Sequence, residues 1–269
     1  MIRTVITGVT GRMGTTLLRL ARDAEGVELV GATDRKGSAY VGLDAGLALR
    51  LGTLGVPVSD SLETALERAQ VVIDFTSAEA SLAHARLCAT RGVALVVGST
   101  GFSGEARAEI GALAQKIPVV MSPNMSVGVN VMIQVAAQLA QVLGSDFDVE
   151  VLEAHHRMKK DAPSGTALRL AERIARAMGR TPRDLNFARH GQIGERPAKE
   201  IGVQTLRGGD VVGEHTVYFF GEGERIELTH RATSRDQFAR GALRAATWVV
   251  NRKPGLYDMA DVLGLGGER

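Results

Sequence analysis

The chain has 269 residues, 45% of them hydrophobic and 23% charged, with a formal net charge of +2. That is the make-up of one large or two modest globular domains, and the balanced charge offers no general attraction to nucleic acid or to a membrane surface. A single cysteine, Cys88, excludes a disulfide framework and a multi-cysteine zinc site, and agrees with an expected cytoplasmic setting.

At the N-terminus, MIRTVITGVTGRMG reaches a Gly-rich turn within eight residues and lacks the apolar run of a signal peptide. No segment is expected to be long and apolar enough to span a bilayer. RTVITG is a short buried strand, and after it Leu17, Leu20, Ala21 and Ala24 recur with a helix period. VELVGATD is a second strand ending in Asp34, and residues 61–69 are helical, with Ser59, Asp60 or Ser61 as cap. VVIDF (71–75) is a third strand, apolar on both faces as parallel strands are. A helix stopped by Gly92, the strand ALVVGSTG, a helix over 103–116 and the strand PVVMSPN complete the series. This alternation predicts a Rossmann-type, doubly wound parallel sheet.

The rhythm changes after Pro123-Asn124. A long helix over about 127–143 leads into the alternating strand DFDVEVLEAHH, and a second helix opens at Ser164 with Ala167, Leu170, Ala171, Ile174 and Met178 inward. Residues 181–200 are expected to form a long loop. IGVQTLRGGDVVGEHTVYFFGEGERIELTHRATS then predicts three strands joined by Gly-Gly-Asp and Gly-Glu-Gly turns. The expected division is a first domain over 1–126, rejoined by 236–269, and a smaller α+β domain over 127–235 with a mixed or antiparallel sheet.

Two stretches carry chemistry. TGVTGRMG (7–14) follows a strand and opens a helix, with Gly8, Gly11 and Gly14 spaced G-x-x-G-x-x-G and Thr10 at the usual second glycine position. Such a turn lets backbone approach a pyrophosphate at the positive end of a helix. Asp34, at the end of the second strand, suits an adenosine ribose; Arg35 and Lys36 suit a 2′-phosphate. GSTGF (98–102) and SPNMS (122–126) end neighbouring strands on the same edge, where open α/β sheets bind ligands.

The second stretch is EAHHRMKKDAPSGTA (153–167), which holds two of the chain's six histidines. His155 and His156 should point to opposite faces of their strand. Arg157, Lys159 and Lys160 follow, and then a helix N-terminus where the Gly165 and Thr166 N–H groups and the Ser164 and Thr166 hydroxyls form a cradle for a carboxylate or phosphate. His84 is expected only to pack, and His190, His215 and His230 fall in loops and strands of the second domain. No H-E-x-x-H or H-x-x-x-H spacing occurs, so no metal is expected. Tyr-x-x-x-Lys is absent too, since Asp44, Glu222 and Asp261 stand four residues after Tyr40, Tyr218 and Tyr257, so a short-chain dehydrogenase is excluded. A non-catalytic dinucleotide-binding regulator would leave the His-Lys-Ser-Gly-Thr cluster without a purpose.

Taken with VIDFT (72–76), NMSVGVNVM (124–132), GDVVGEHTV (209–217) and GLYDMADVLGL (255–265), these motifs give a chain that resembles, end to end, the 4-hydroxy-tetrahydrodipicolinate (dihydrodipicolinate) reductase family. The resemblance implies an NADH- or NADPH-dependent homotetrameric reductase of the diaminopimelate and lysine pathway. Its first domain would bind the dinucleotide, and its second would bind a small cyclic dicarboxylate and make the oligomer contacts. It implies His155 as proton donor with Lys159 as its catalytic partner, and His156, Ser164, Gly165 and Thr166 as substrate-binding residues. The dinucleotide would lie on Gly8, Val9, Thr10, Gly11, Arg12, Met13, Asp34, Arg35, Gly98, Ser99, Thr100, Ser122, Pro123, Asn124 and Met125. Two positions depart from the common family pattern: Asp34, where many members carry Glu, and Met125, where several carry an aromatic residue.

Overall fold

The computed structural model describes residues 1–265; positions 266–269, part of the expected C-terminal return, lie outside the described residues. In chain order the elements are β1 (Ile2–Thr7), α1 (Arg12–Arg22), β2 (Val27–Thr33), α2 (Ala45–Ala48), β3 (Val58–Ser59), α3 (Leu62–Ala65), β4 (Val71–Asp74), α4 (Ala78–Arg91), β5 (Ala94–Val97), α5 (Gly104–Leu113) and β6 (Pro118–Met121). There follow α6 (Val127–Leu143), β7 (Asp148–His155), α7 (Gly165–Ala177), β8 (Leu185–Asn186), β9 (Ile201–Arg207), β10 (Gly213–Phe220), β11 (Arg225–Ala232), α8 (Asp236–Val249), β12 (Gly255–Tyr257) and α9 (Met259–Leu263). They form two units: Met1–Val127 together with the segment from Arg235 onward, and Gly128–Ser234.

The first unit is built on a seven-stranded sheet in the order β12-β6-β5-β4-β1-β2-β3, with every pairing parallel. Both faces are buried, as the continuous apolar runs of β4 and β5 require. On one face Ile6, Ile73, Val96 and Val120 pack with Leu17 and Ala21 of α1 and with Ala242, Ala246 and Val249 of α8. On the other, Val5, Val72, Leu95 and Val119 pack with Leu62, Ala85, Cys88 and Ile110 of α3, α4 and α5. The chain therefore returns here after the second unit, and β12 extends the sheet beside β6.

The second unit carries a five-stranded mixed sheet in the order β11-β10-β7-β9-β8. β10 pairs antiparallel with both β11 and β7, whereas β9 pairs parallel with β7. The two strands joined by the Gly-Gly-Asp turn are therefore not neighbours, since β7 lies between them. Gly208 and Gly209 instead carry the chain across the end of β7, where Gly208 N–H donates to His155 O (3.0 Å) and Arg157 N–H to Gly209 O (3.2 Å). Val149, Val151, Val203, Val217 and Phe219 line the sheet face covered by α6 and by the inward stripe of α7 (Ala167, Leu170, Ala171, Ile174).

The segment Val127–Asp146, which contains α6, has 20 residues, with an 18-residue window of mean hydropathy 1.4, long and apolar enough to cross a membrane by length and composition. The sequence expectation that no segment qualifies is thereby corrected. Val129, Met132, Ile133, Ala136 and Ala140 of that helix are buried in the core of the second unit.

Candidate functional site

The first residue to place in the second unit is Glu153, a carboxylate with no exposed surface on a strand of alternating burial. The register sets His215 of β10 and Thr205 of β9 beside it, and pairs His155 with Arg207 two residues further along. Residues two apart share a face of the sheet, so Glu153 and His155 lie together. The Glu153 carboxylate takes His155 Nδ1 at 2.5 Å, Arg207 in a two-pronged pair at 2.8 and 2.9 Å, the Ser164 N–H at 2.9 Å and Thr205 Oγ1 at 3.2 Å. Burial works to raise this carboxyl, but the hydrogen bonds from His155, Arg207 and Ser164 outweigh it and hold the group at about 2.

His215 lies edge-on to His155, with ring centroids 5.3 Å apart. Its Nε2 meets Ser164 Oγ at 3.2 Å, while its buried Nδ1 has no partner among the described residues. Burial, with the neighbouring His155 charge, pushes His215 down to about 3, so it stays neutral.

Ser164 caps α7, its hydroxyl accepting from the Ala167 N–H at 3.2 Å. No acidic side chain occupies the first turn of this 13-residue helix, and the acid at its positive end is the Glu153 carboxylate on the Ser164 N–H. Gly165, exposed at that end, has open space where a side chain would stand. Lys159, on the turn between β7 and α7, pairs with Asp161 at 2.8 Å, and Arg207 also donates to Asp161 O at 2.6 Å. The Lys159 ammonium beside it holds the Asp161 carboxyl below its usual range. His155, the Lys159 turn and the start of α7 are thus tied to one buried carboxylate. The arrangement can hold an anion and move a proton beside it.

The first unit holds a cleft of about 870 Å³ at the carboxyl ends of its strands, lined by the Gly8–Gly11 turn, Asp34, Arg35, Lys36, Thr76 and His84, among others. Gly8 sits at φ +61, a left-handed conformation that L side chains rarely adopt. A Cβ on Gly14 would stand 2.0 Å from Gly8 O, so only glycine lets α1 start this close to the turn. No acid lies in the first turn of α1 either. Asp34 accepts from Thr10 Oγ1 (2.6 Å), Ser38 Oγ (2.7 Å) and the Arg35 N–H (2.9 Å). Burial works against the Asp34 carboxylate, but these hydrogen bonds hold it below its usual range. Bare backbone at a helix start, a fixed carboxylate at the end of β2 and two exposed cations beyond it fit a dinucleotide.

The family profile "Dihydrodipicolinate reductase, N-terminus" matches residues 2–125, and "Dihydrodipicolinate reductase, C-terminus" matches residues 128–263. The chain belongs to the dihydrodipicolinate reductase family. It is 73% identical over 266 residues to 4-hydroxy-tetrahydrodipicolinate reductase of Myxococcus xanthus (strain DK1622), covering 98% of each chain. It is 60% identical to the protein of that name from Anaeromyxobacter dehalogenans (strain 2CP-C), covering 99% of each. Among solved structures, dipicolinate-bound dihydrodipicolinate reductase from Paenisporosarcina sp. TG-14 superposes with a TM-score of 0.77 at 28% identity, covering 97% of this chain and 98% of that one. An amine dehydrogenase from Mycobacterium smegmatis shares the fold at 18% identity and a TM-score of 0.62.

Several residues that the family resemblance assigned to ligands have their side chains engaged within the fold. Ser164 is 2% exposed; its N–H donates to Glu153, and its hydroxyl accepts from the Ala167 N–H and meets His215 Nε2. Met125, 1% exposed, belongs to the core of the first unit, as does Val9. Ser122 Oγ donates to Asn124 O and Ser99 Oγ accepts from Ser81, both buried. Gly11, Arg12, Thr100 and Pro123 are exposed, while Met13, Gly98, Asn124, His156 and Thr166 are half-buried.

Sequence reasoning missed two features. His84, expected only to pack, has its Nδ1 2.6 Å from fully buried Asp74 and lines the cleft. Burial opposes the Asp74 charge, but His84 and Thr76 hold its carboxyl low. The signal was present, since Asp74 ends β4 and His84 lies ten residues on, in α4. Glu153 was quoted within its motif and given no part.

Proposed function

We propose that the chain catalyses the NADH- or NADPH-dependent reduction of 4-hydroxy-tetrahydrodipicolinate to tetrahydrodipicolinate, a step toward diaminopimelate and lysine. The observation that carries this reading is the joining of His155, the Lys159 turn and the open start of α7 through one buried carboxylate. The match to the family along the whole chain supports it, and the relative solved with dipicolinate supports a cyclic dicarboxylate as the ligand.

In this reading the Gly8–Met13 turn, Asp34 and Arg35 hold the dinucleotide, with backbone at Gly98–Thr100 and Ser122–Met125. The reduced nicotinamide, when bound, supplies a hydride. Gly165 and Thr166 hold one substrate carboxylate at the positive end of α7, and His156 helps to orient the ring. Lys159 leaves Asp161 for the substrate and stabilises negative charge as it develops. His155 delivers the proton that quenches the added electron density. We place this work in the cytoplasm, in a homotetramer. The sheet face of the second unit turned away from α6 and α7 supports assembly: Leu206 is 53% and Phe220 37% exposed there.

Oxidation of NAD(P)H in an assay coupled to the aldolase-type synthase that makes the unstable substrate tests the reading. No turnover with either cofactor would defeat it. Pyridine-2,6-dicarboxylate, a planar copy of the substrate's carboxylate spacing, is expected to inhibit competitively against substrate; absence of competition at millimolar concentration would count against the carboxylate cradle. Arg35→Ala is expected to weaken NADPH more than NADH, on the order of 1–3 kcal/mol for a lost charge-assisted contact. Equal weakening in a fluorescence titration would remove Arg35 from the 2′-phosphate.

A further inference from the structure

We infer that Glu153 is the positioning residue that sets the tautomer of His155, fixing Nε2 as the nitrogen that passes the proton and tying the anion cradle to it. The inference rests on the proposed function and names a device within that site.

The donor count decides the direction of the His155–Glu153 hydrogen bond. Oε2 receives His155 Nδ1 and Arg207 Nη1, while Oε1 receives the Ser164 N–H, Arg207 Nη2 and Thr205 Oγ1. The Arg207 and Ser164 groups can only donate, so both oxygens accept, and the two-pronged Arg207 pair with the hydrogen bonds that hold this carboxyl at about 2 keeps it ionised. An ionised carboxylate has no proton to give, so Nδ1 carries the hydrogen in both the neutral and the charged ring. Only Nε2 is left to gain and lose a proton.

The space around Nε2 agrees. A Cβ on Gly213 would stand 3.0 Å from His155 Nε2, so the absence of a side chain there leaves that nitrogen room. The charged and titratable groups near the ring are Glu153 on its own strand, Arg207 on β9, His215 on β10 with His230 beside it on β11, and Lys159 and Asp161 on the turn. Of these, Glu153 alone touches Nδ1.

Substitution by glutamine inverts the pattern. The amide oxygen of a Glu153→Gln variant would stay with the three donors on the Oε1 side, and its NH₂ would face His155, with Arg207 Nη1 losing its acceptor on that side. Nδ1 must then accept, and the neutral ring carries its hydrogen on Nε2. Loss of the negative charge also disfavours the imidazolium.

The test is ¹⁵N NMR of histidine-labelled full-length protein through a pH titration, with His155→Gln to assign the signals. In the wild type the neutral His155 ring is expected as the Nδ1–H form, with the large ¹⁵N change on Nε2. Glu153→Gln is expected to show the Nε2–H form, a fall in kcat of roughly 10- to 10³-fold, and a loss of activity on raising pH that begins at lower pH than in the wild type. A purely structural role would lower activity without moving the tautomer or the pH profile. Should that variant fail to fold, Gly213→Ala crowds Nε2 and leaves Glu153 intact; it is expected to perturb the Nε2 signal while Nδ1 stays protonated. A wild-type ring in the Nε2–H form, or a Glu153→Gln variant with unchanged tautomer and profile, overturns the inference. The NMR readout needs no turnover, so a chain that failed to reduce the dicarboxylate would defeat the proposed function and leave the tautomer assignment standing.

Discussion

His155→Gln and Lys159→Ala are each expected to lower kcat by roughly 10²–10⁴-fold, the range of general acid catalysis. Glutamine is the informative replacement at position 155. Its amide can still donate to Glu153, so the packing against His215 and the start of α7 is kept while the proton is lost. The Lys159 side chain is 20% exposed, on a turn that Arg207 secures through Asp161 O. Truncating it should raise KM as well as lower kcat, because it serves bound substrate and developing charge together. The double variant is expected to be little worse than the poorer single one, since groups acting as a unit are not additive. NADPH affinity should be nearly unchanged in all three, because the residues proposed to hold the dinucleotide belong to the other unit. A His155→Gln protein with near-normal kcat would remove the ring as proton donor and move that role to His156 or water.

The first unit was largely legible in the sequence because its signals are local. A parallel strand buried on both faces is a short apolar run, and the glycine turn is punctuated by residues that only its backbone geometry explains: Gly8 at φ +61 and Gly14 against Gly8 O. The second unit was less so. The β9–β10 connection spans few residues and carries Gly-Gly, which locally resembles a hairpin. Its crossing over the end of β7 depends on pairings made more than 50 residues apart. Glu153 failed for the same reason: its importance lies in what Thr205, Arg207 and His215 bring to it across the register, and in isolation it is one more acid in a strand. For Met125 and Ser164 the motif names neighbours of a ligand without saying whether backbone or side chain faces it, and both side chains are buried.

The second unit is expected to lose stability in acid in two stages. His215 has an ordinary value of 6.5 and is held at about 3 by burial, so between those limits the unfolded chain binds a proton that the folded one refuses. Its contribution is complete above pH 6.5 and is lost as pH falls toward 3. Glu153, ordinarily at 4.5 and held at about 2, acts with the same sign in a lower window: its contribution is complete above 4.5 and is lost as pH falls toward 2. Each group costs up to about 1.4 kcal/mol per pH unit inside its window. Between pH 6.5 and 4.5 His215 acts without Glu153, for a loss on the order of 2 kcal/mol; below 4.5 the slope should steepen. The lone tryptophan, Trp248, lies on α8 in the first unit, so hydrogen exchange of the β7 and β10 amides is the measurement that isolates the second. His215→Gln, which keeps an amide beside Ser164 and removes the titration, should flatten the loss between pH 6.5 and 4.5 and leave the lower stage in place. A variant with the wild-type slope in the upper window would mean that His215 is not the group that refuses the proton.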